Sequence, residues 1–284
     1  MYPWLLRAKG NDGNYTGWPN FQRMAKAYAD LGVNVLPVIQ QSMTPPKVID
    51  GKVVGSWGPD ENWRREIARV ILTFPNIKQW ELNNEYELKK EALTGEQLVN
   101  WKNYQAYHAA FAQILKSISG GSVTVVENGR AGIWPERLKD CIDSGSFAQV
   151  DVVNTHHYSG TDAPETNYSN FNTGFEGLTD DKAPGLLFDD LREVVRIAQS
   201  DGKPRQHWHT EFGWDTKAGR IVTPYQQAVY LPRAFMMLLA SGTSRAFWFY
   251  HMDGREASTF FDGCGLLTWD LQPKLSLEIG RAHV

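Results

Sequence analysis

Apolar side chains recur at the spacing of amphipathic helices in five stretches of the chain, and a short apolar run follows each stretch. Positions three and four apart share one face of a helix, so this spacing predicts helices over residues 21–31, 63–74, 98–115, 187–198 and 224–242. Short apolar runs between turn residues are typical of buried strands. They predict six strands, over residues 33–39, 77–82, 122–126, 150–155, 204–210 and 245–250, with residues 2–7 as a seventh candidate.

Capping residues mark where two of these helices begin. Residues 94–97 (Thr-Gly-Glu-Gln) and 223–226 (Thr-Pro-Tyr-Gln) both place threonine three positions before glutamine, which is the pattern of a capping box. The second box also has proline at the first helical position, where its missing N–H costs nothing. Pro232 lies inside the same helix and predicts a kink there.

Strand and helix alternate along most of the chain, which predicts parallel strands joined by right-handed crossovers. The predicted fold class is α/β, a single-domain (β/α)8 TIM barrel over residues 1–278. Eight strands need one more unit upstream, so we expect a barrel truncated at its amino terminus. Residues 279–284 match an in-frame translation of a common sequencing adaptor, so we expect a non-native tail there and a truncated carboxyl terminus. A doubly wound open sheet is the alternative, although no glycine-rich phosphate-binding pattern follows any strand.

Composition and charge narrow the functional classes. The chain has 284 residues, 42% of them hydrophobic, and contains no run of about 18 apolar residues that would span a membrane. With 29 Lys and Arg against 32 Asp and Glu, the net charge is −3, which gives no electrostatic basis for binding nucleic acid or an anionic membrane. Two cysteines, Cys141 and Cys264, build neither a disulfide framework nor a four-thiolate zinc site.

Side chains with catalytic chemistry follow four of the predicted strands. Because the carboxyl ends of barrel strands converge on one mouth, these groups are expected to meet there. They lie in residues 80–86 (WELNNEY), 154–158 (NTHHY), 207–214 (HWHTEFGW) and 248–251 (WFYH). Two long segments, residues 40–60 and 159–185, also follow strand ends and are expected to shape the substrate site.

Two carboxylates in that set, Glu85 and Glu211, suit retaining glycoside hydrolysis. In that reaction one carboxylate attacks the sugar while the other serves first as acid and then as base, with the two groups about 5–5.5 Å apart. Asn84 is predicted to hydrogen-bond the sugar 2-hydroxyl, and Tyr158 to donate to Glu211. Glu87, by contrast, is expected to be a solvated carboxylate at a strand end.

These motifs resemble those of clan A glycoside hydrolases, notably family 39-like and family 5-like members. Residues 80–87 (WELNNEYE) resemble the fourth-strand motif W-E-I-W-N-E-P-N, and residues 210–214 (TEFGW) match the seventh-strand motif T-E-F-G-W. Residues 156–158 (HHY) are similar to the sixth-strand H-x-Y, and residues 265–274 to the segment after the eighth strand.

The resemblance implies a retaining enzyme in which Glu85 is the acid/base and Glu211 the nucleophile, with neither cofactor nor metal. Two positions depart from the motif, because Asn83 stands where the family has tryptophan and Tyr86 where it has proline. The exact family therefore stays open.

Aromatic residues near the expected mouth suit the flat, amphipathic rings of sugars. Trp248 is predicted to form the floor of the sugar site, Trp134 and Trp214, together with Trp57, to line it, and His156 to bind substrate. Packing is an equal alternative for the three lining tryptophans. The predicted partner is a carbohydrate, in an extended cleft for oligo- or polysaccharides. Such an enzyme is expected to be secreted or periplasmic, although no signal peptide is visible; the sequence specifies neither the sugar nor the oligomeric state.

Two other functions remain open at this point. His207 and His209, with His156, His157 and His251, permit a metal-dependent barrel hydrolase, which would need three or four ligands and a vacant position. A catalytically silent barrel that only binds carbohydrate is the second, although such a protein needs no pair of carboxylates.

Overall fold

The computed structural model describes residues 18–39, 47–49, 52–54, 61–88, 101–167, 185–217, 221–259 and 261–281. The chain divides into two compact units. The first comprises Met1–Asn128 and Cys141–Val152, and the second Gly129–Asp140 and Val153–Val284. The predicted single domain, residues 1–278, stays a prediction.

Parallel strands and amphipathic helices make up the first unit. Its helices are α1 (Trp18–Asp30), α2 (Glu61–Thr73) and α3 (Trp101–Ile118), and its strands are β1 (Val38–Ile39), β2 (Lys47–Ile49), β3 (Lys52–Val54), β4 (Gln79–Leu82) and β5 (Thr124–Val126). Strands β1, β4 and β5 pair in parallel in that order, whereas β2 and β3 form an antiparallel ribbon. The strand β6 (Val152–His156) begins in this unit, where Val152 pairs with Val126.

Helix α3 shows why the helical spacing indicates the core of this unit. Tyr104, Tyr107, Phe111 and Leu115 recur three or four residues apart, and all four side chains are fully buried. They share one face of the helix, as that periodicity requires. The predicted capping box at residues 94–97 lies outside the described residues.

The second unit holds the remaining strands. Strand β9 (Gln206–Phe212) lies between β6 and β10 (Arg245–Trp248), and it pairs with β10 in parallel. The helices are α5 (Leu187–Ala198), α6 (Pro224–Ala240) and α7 (Leu275–Arg281), and α4 (Pro135–Asp143) runs from this unit into the first. A short antiparallel ribbon is formed by β7 (Thr166–Asn167) and β8 (Gly185–Leu186).

All six predicted strands are found in the described residues, and the predicted parallel pairing is confirmed within both units. The first is shorter than predicted, because only Val38 and Ile39 of residues 33–39 are paired. The seventh candidate, residues 2–7, lies outside the described residues. Closure into a barrel and the truncation stay predictions.

Two antiparallel ribbons and the helices α4 and α7 were not predicted. The segment 40–60 contains the β2–β3 ribbon, the segment 159–185 contains β7 and the start of β8, and α4 lies between β5 and β6. Helix α7 extends through Arg281, so three residues of the predicted tail are helical. None of the helices in the described part of the chain has the length and hydropathy that a membrane span requires.

The amino terminus of α6 has the predicted capping box. The Thr223 hydroxyl accepts a hydrogen bond from the Gln226 N–H at 3.1 Å, and the Gln226 side-chain oxygen accepts one from the Thr223 N–H at 2.8 Å. Two N–H groups that the helix leaves unpaired are thereby satisfied. The helix continues through Pro232 to Ala240.

We predict that Thr223→Ala lowers the free energy of unfolding by about 1 kcal/mol, since alanine leaves the Gln226 N–H without its acceptor. Thr223→Ser keeps a hydroxyl at the same place and is expected to match the wild type closely. Urea unfolding followed by far-UV circular dichroism measures both variants. Equal losses from the alanine and serine variants would show that the capping hydrogen bond does not stabilise α6.

Candidate active site

Glu211 is held at the carboxyl end of β9 by two residues that follow or end β6. The Tyr158 hydroxyl donates a hydrogen bond to Glu211 Oε2 at 2.9 Å, and His156 Nδ1 lies 3.6 Å from the same oxygen. The Glu211 backbone carbonyl accepts from the His157 N–H at 3.1 Å. The Glu211 side chain remains 12% exposed. Within this unit, the carboxylate is therefore fixed in orientation and still open to solvent.

His156 has its own hydrogen-bond chain, which sets the role of each ring nitrogen. Its Nε2 lies 2.9 Å from the Thr210 hydroxyl, and that hydroxyl donates to Asn154 Oδ1 at 2.9 Å. A hydroxyl carries a single proton, so Thr210 accepts from His156 and Nε2 bears a hydrogen. The other nitrogen, Nδ1, is the one that faces Glu211.

The backbone of Gly129 packs against the His156 imidazole, and no motif in the sequence indicated this contact. A Cβ atom at Gly129 would lie 1.7 Å from His156 Nε2, so the backbone of Gly129 lies directly against the imidazole. Any side chain there would displace the ring, because real Cβ contacts are about twice as long. Its position three residues after the end of β5 was the signal available.

His207 and His209 of β9 are buried and belong to a hydrogen-bond network with Thr155 and Thr243. The Thr155 hydroxyl lies 2.9 Å from His207 Nε2 and 2.8 Å from His209 Nδ1. His209 also borders a small cavity shared with Leu187 of α5 and with α6. The alternative in which both histidines are metal ligands beside Glu211 is therefore not favoured, since three of their four ring nitrogens already hydrogen-bond to Thr155 or Thr243.

The proton positions in that network follow from the Ser241 hydroxyl, at the opposite end from His209. The Ser241 hydroxyl donates to the Leu238 carbonyl at 2.7 Å, so the Thr243 hydroxyl, 3.1 Å away, must donate to Ser241. Thr243 then accepts from His207 Nδ1 at 3.0 Å. A neutral His207 accepts at Nε2 from Thr155, and Thr155 in turn accepts from His209 Nδ1. Both histidines therefore carry their proton on Nδ1.

Burial keeps these rings neutral. Desolvation lowers the pKa of His207 to about 3, with a smaller contribution from the Arg130 charge. Burial also lowers the pKa of His209 well below its usual value, and it lowers that of His157 to about 4 even though the Thr166 carbonyl accepts from His157 Nε2 at 3.0 Å. Charging any of these rings would require a poorly solvated imidazolium.

Three of the four tryptophans predicted near the sugar lie in the described residues, and they differ in burial. Trp214 is 3% exposed and donates to the Asp162 carbonyl at 2.9 Å, and Trp134 is 9% exposed. Trp248 is half-buried, donates to the Cys264 carbonyl at 2.8 Å and packs 5.9 Å from Trp214. Burial favours packing for Trp134 and Trp214, although their predicted contact with substrate stays a prediction. Trp57 lies outside the described residues.

Glu85 lies in the first unit, three residues after the end of β4, in an unusual backbone conformation. Its φ is 43° and that of Asn83 is 64°, a left-handed region that few residues other than glycine adopt. The Asn84 N–H donates to Asn83 Oδ1 at 2.9 Å, which supports the turn. Non-glycine residues in this region often mark functional sites, because the surrounding structure must hold them there.

Tyr86 and Glu87 anchor that turn. Tyr86 is buried and stacks on Tyr107 of α3 with ring centroids 4.2 Å apart, which accounts for an aromatic residue where the family motif has proline. Glu87 is fully buried and accepts from Asn128 Nδ2 at 3.0 Å. The expectation that Glu87 is a solvated carboxylate is wrong, because the turn after Glu85 directs its side chain into the core.

Structural comparison relates the chain to glycoside hydrolases. A family 39 glycoside hydrolase from Bacteroides cellulosilyticus WH2 superimposes with a TM-score of 0.70 at 19% identity, over 97% of this chain and 55% of that one. The exo-β-1,4-mannosidase Op5Man5 from Opitutaceae bacterium strain TAV5 superimposes with a TM-score of 0.60 at 16% identity, over 99% of this chain and 51% of that one. A β-glucosidase from Exiguobacterium marinum superimposes with a TM-score of 0.59 at 14% identity, over 98% of this chain and 82% of that one.

These likenesses establish the fold, and they confirm the resemblance to glycoside hydrolases at that level. The chain spans about half the length of the first two of these structures, 55% and 51%. No protein-family model and no curated protein matches the sequence.

We predict that His207 and His209 are both neutral and protonated on Nδ1 at pH 5.5, the less common tautomer of free histidine. Long-range ¹H–¹⁵N NMR spectra distinguish the two ring nitrogens, and His207→Asn and His209→Asn assign the signals. In urea the same histidines are expected to titrate near 6.5. Protons on Nε2, or titration of either ring near pH 6.5 in the folded protein, would contradict the network.

The same lowered pKa values predict how stability depends on pH. The unfolded chain takes up protons on His157 and His207 near pH 6.5, whereas the folded protein takes them up only near pH 4 and pH 3. The free energy of unfolding is therefore expected to fall as pH drops from about 6.5 towards 3. Urea titrations at several pH values measure this slope, and His157→Asn should reduce it between pH 6.5 and 4. A variant slope equal to that of the wild type would contradict the burial of His157 as a neutral ring.

Proposed function

We propose that this protein is a retaining glycoside hydrolase that cleaves β-linked glycosides of oligo- or polysaccharides through a covalent glycosyl-enzyme intermediate. The observation that carries the proposal is the hydrogen bond from the Tyr158 hydroxyl to the Glu211 carboxylate, at the carboxyl end of β9. It is supported by the fold, which the chain shares with glycoside hydrolases. In TIM-barrel enzymes, that end of the strands carries the chemistry.

Glu211 is the proposed nucleophile. A nucleophilic carboxylate must be ionised, accessible and held in one orientation, and the contacts of Glu211 support each requirement. The Tyr158 hydroxyl stabilises the charge, the His156 ring faces the same oxygen, and the side chain keeps some exposure. Attack on the anomeric carbon expels the leaving group and forms an ester between the sugar and Glu211.

Glu85 is the proposed acid/base, and Asn84 the residue that binds the sugar 2-hydroxyl. The left-handed turn that holds Glu85 supports this role, since such a conformation is costly and is kept where the surrounding fold requires it. Glu85 donates a proton to the departing oxygen, then removes one from the water that hydrolyses the ester. The mechanism requires the two carboxyl groups to face each other across about 5.5 Å.

The other features of the site follow from the same proposal. His156 and Tyr158 position the nucleophile and contact the reacting sugar, Trp248 forms its floor, and Trp134 and Trp214 line the site. The full protein is proposed to be an eight-stranded barrel that acts on extracellular or periplasmic carbohydrate. Neither the carbohydrate-binding alternative nor the metal-dependent one is favoured. A fixed and partly exposed carboxylate is what a nucleophile requires, whereas neither alternative requires one.

We predict different consequences when each carboxylate is removed. Glu211→Ala should abolish turnover of every glycoside, because no covalent intermediate can form. Glu85→Ala should lose about 10²–10⁴-fold on substrates with poor leaving groups, the usual range for general acid catalysis. Acidic phenols leave without protonation, so formation of the glycosyl-enzyme from aryl glycosides that carry them should survive in Glu85→Ala. Azide, which needs no general base, should then accelerate Glu85→Ala and yield a β-glycosyl azide.

Glu193→Ala is the matched control, since it removes an exposed carboxylate on α5 that pairs with Arg196 of the same helix. Its activity should equal that of the wild type, and melting curves should show that all three variants fold. Glu85→Ala and Glu211→Ala that behave alike across leaving groups, with no effect of azide on either, would overturn the assigned roles. Binding of oligosaccharides by the wild type without hydrolysis would favour the carbohydrate-binding alternative.

A further inference from the structure

Three aromatic rings in the second unit form a cluster that reaches from Glu211 to solvent. The Tyr158 ring meets Phe261 edge to face, with centroids 5.2 Å apart at 69°, and meets Phe249 at 6.3 Å and 87°. Phe249 and Phe261 are themselves 5.5 Å apart at 82°. Each pair has the geometry that aromatic quadrupoles favour. The ring that Phe261 contacts carries the hydroxyl that donates to Glu211.

Phe261 is the solvent-facing member of this cluster. It is 40% exposed, whereas the tryptophans predicted to line the sugar site, Trp134 and Trp214, are 9% and 3% exposed. A phenylalanine at this level of exposure leaves apolar area in water that burial would stabilise by about 25 cal/mol per Å². This apolar surface is available to a ligand beside the candidate nucleophile.

The loop that presents Phe261 is braced by a single aspartate. The Asp262 carboxylate accepts hydrogen bonds from the Ser258 N–H at 2.8 Å, the Ser258 hydroxyl at 2.9 Å and the Thr259 N–H at 2.6 Å. The Asp262 carbonyl accepts from the Gly254 N–H at 2.8 Å. The hydrogen bond from Thr259 is the main reason that the pKa of Asp262 is lowered.

Bracing matters because ordering a contact residue on binding costs free energy that a fixed residue has already lost on folding. The Cys264 N–H also donates to the Phe261 carbonyl at 3.1 Å, so the backbone is held on both sides of the ring. Phe261 is thus an exposed aromatic ring on a preformed loop, which is the arrangement expected of a binding platform and not of a core residue.

We propose that Phe261 is a substrate-binding residue, which stacks on the apolar C–H face of a pyranose adjacent to the sugar that reacts with Glu211. This inference rests on the proposed glycosidase function and names the ligand class of one subsite. A pyranose presents its axial C–H groups on one face and its hydroxyl groups around the rim. An aromatic ring therefore buries the C–H face and leaves the hydroxyl groups hydrated.

The test compares Phe261→Ala, Phe261→Trp and Asp262→Ala with the wild type on β-linked disaccharides and longer oligosaccharides. Phe261→Ala is expected to raise KM roughly tenfold, the equivalent of about 1.4 kcal/mol for a lost stacking contact. Phe261→Trp keeps a flat ring and should stay near the wild-type KM. Asp262→Ala should raise KM less than Phe261→Ala, since it loosens the loop and keeps the ring.

Trp269→Ala is the matched control, because Trp269 is an aromatic residue 50% exposed outside the three-ring cluster. Its KM should be unchanged. Melting curves of all the variants separate a loss of binding from a loss of folding. The tryptophan variant provides a second check, because a ring that acted only through packing against Tyr158 would tolerate the larger indole poorly.

The outcomes separate this inference from the proposed function. An active wild type with the same KM in Phe261→Ala would overturn the Phe261 subsite alone. A wild type that binds oligosaccharides without hydrolysis would overturn the glycosidase, and calorimetric Kd values for the same variants would then decide the subsite. A wild type that neither binds nor hydrolyses any oligosaccharide in the panel would overturn both.

Discussion

The hydrogen bond between the Tyr158 hydroxyl and the Glu211 carboxylate is the constraint on which this account depends. It joins a residue that follows β6 to a residue near the end of β9, so it forms only if those strands are neighbours in the right register. The backbone hydrogen bond from His157 to the Glu211 carbonyl sets the same register from the main chain. As the proposed nucleophile, a carboxylate held in this way need not reorganise when the substrate arrives.

Two polar networks on opposite faces of β6 hold that register. On one face, Asn154, Thr210 and His156 are joined by hydrogen bonds of 2.9 Å, and Gly129 fixes the imidazole from behind. On the other face, Thr155 bridges His207 and His209. A buried polar network of this kind stabilises a structure only when its members are satisfied, and the proton positions derived above satisfy each hydroxyl in turn. The strand ends are therefore set by side-chain hydrogen bonds as well as by the backbone ladder.

Hydrophobic periodicity was enough to predict every parallel strand in the described residues, because helices and strands of this class bury continuous apolar faces. The position of Glu211 and its contact with Tyr158 were also predictable, since strand ends converge whatever separates them in the chain. The burial of Glu87 was not predictable, because it depends on the left-handed turn at Glu85, and that turn contains no glycine that would indicate it.

Other features that the sequence did not predict have physical explanations. The β2–β3 ribbon has only three residues in each strand, too few for alternation to stand out. Gly129 and Phe261 act through contacts with residues far away in the chain, and neither has a local pattern that differs from an ordinary loop residue. Abundant tryptophan indicated aromatic binding surfaces, yet Trp134 and Trp214 are mostly buried, since large apolar rings also form good cores.

The central claim is that Glu211 forms a covalent bond to the sugar, and trapping that bond tests it most directly. A 2-deoxy-2-fluoro glycoside with a good leaving group forms the glycosyl-enzyme but hydrolyses slowly, because fluorine destabilises the positively charged transition state. Incubation with a set of such glycosides, followed by proteolysis and mass spectrometry, locates the attached sugar. We expect a single adduct on Glu211, and it should disappear when azide or a glycoside acceptor is added. An adduct on Glu85, or hydrolysis of ordinary substrates with inversion at the anomeric carbon, would contradict it.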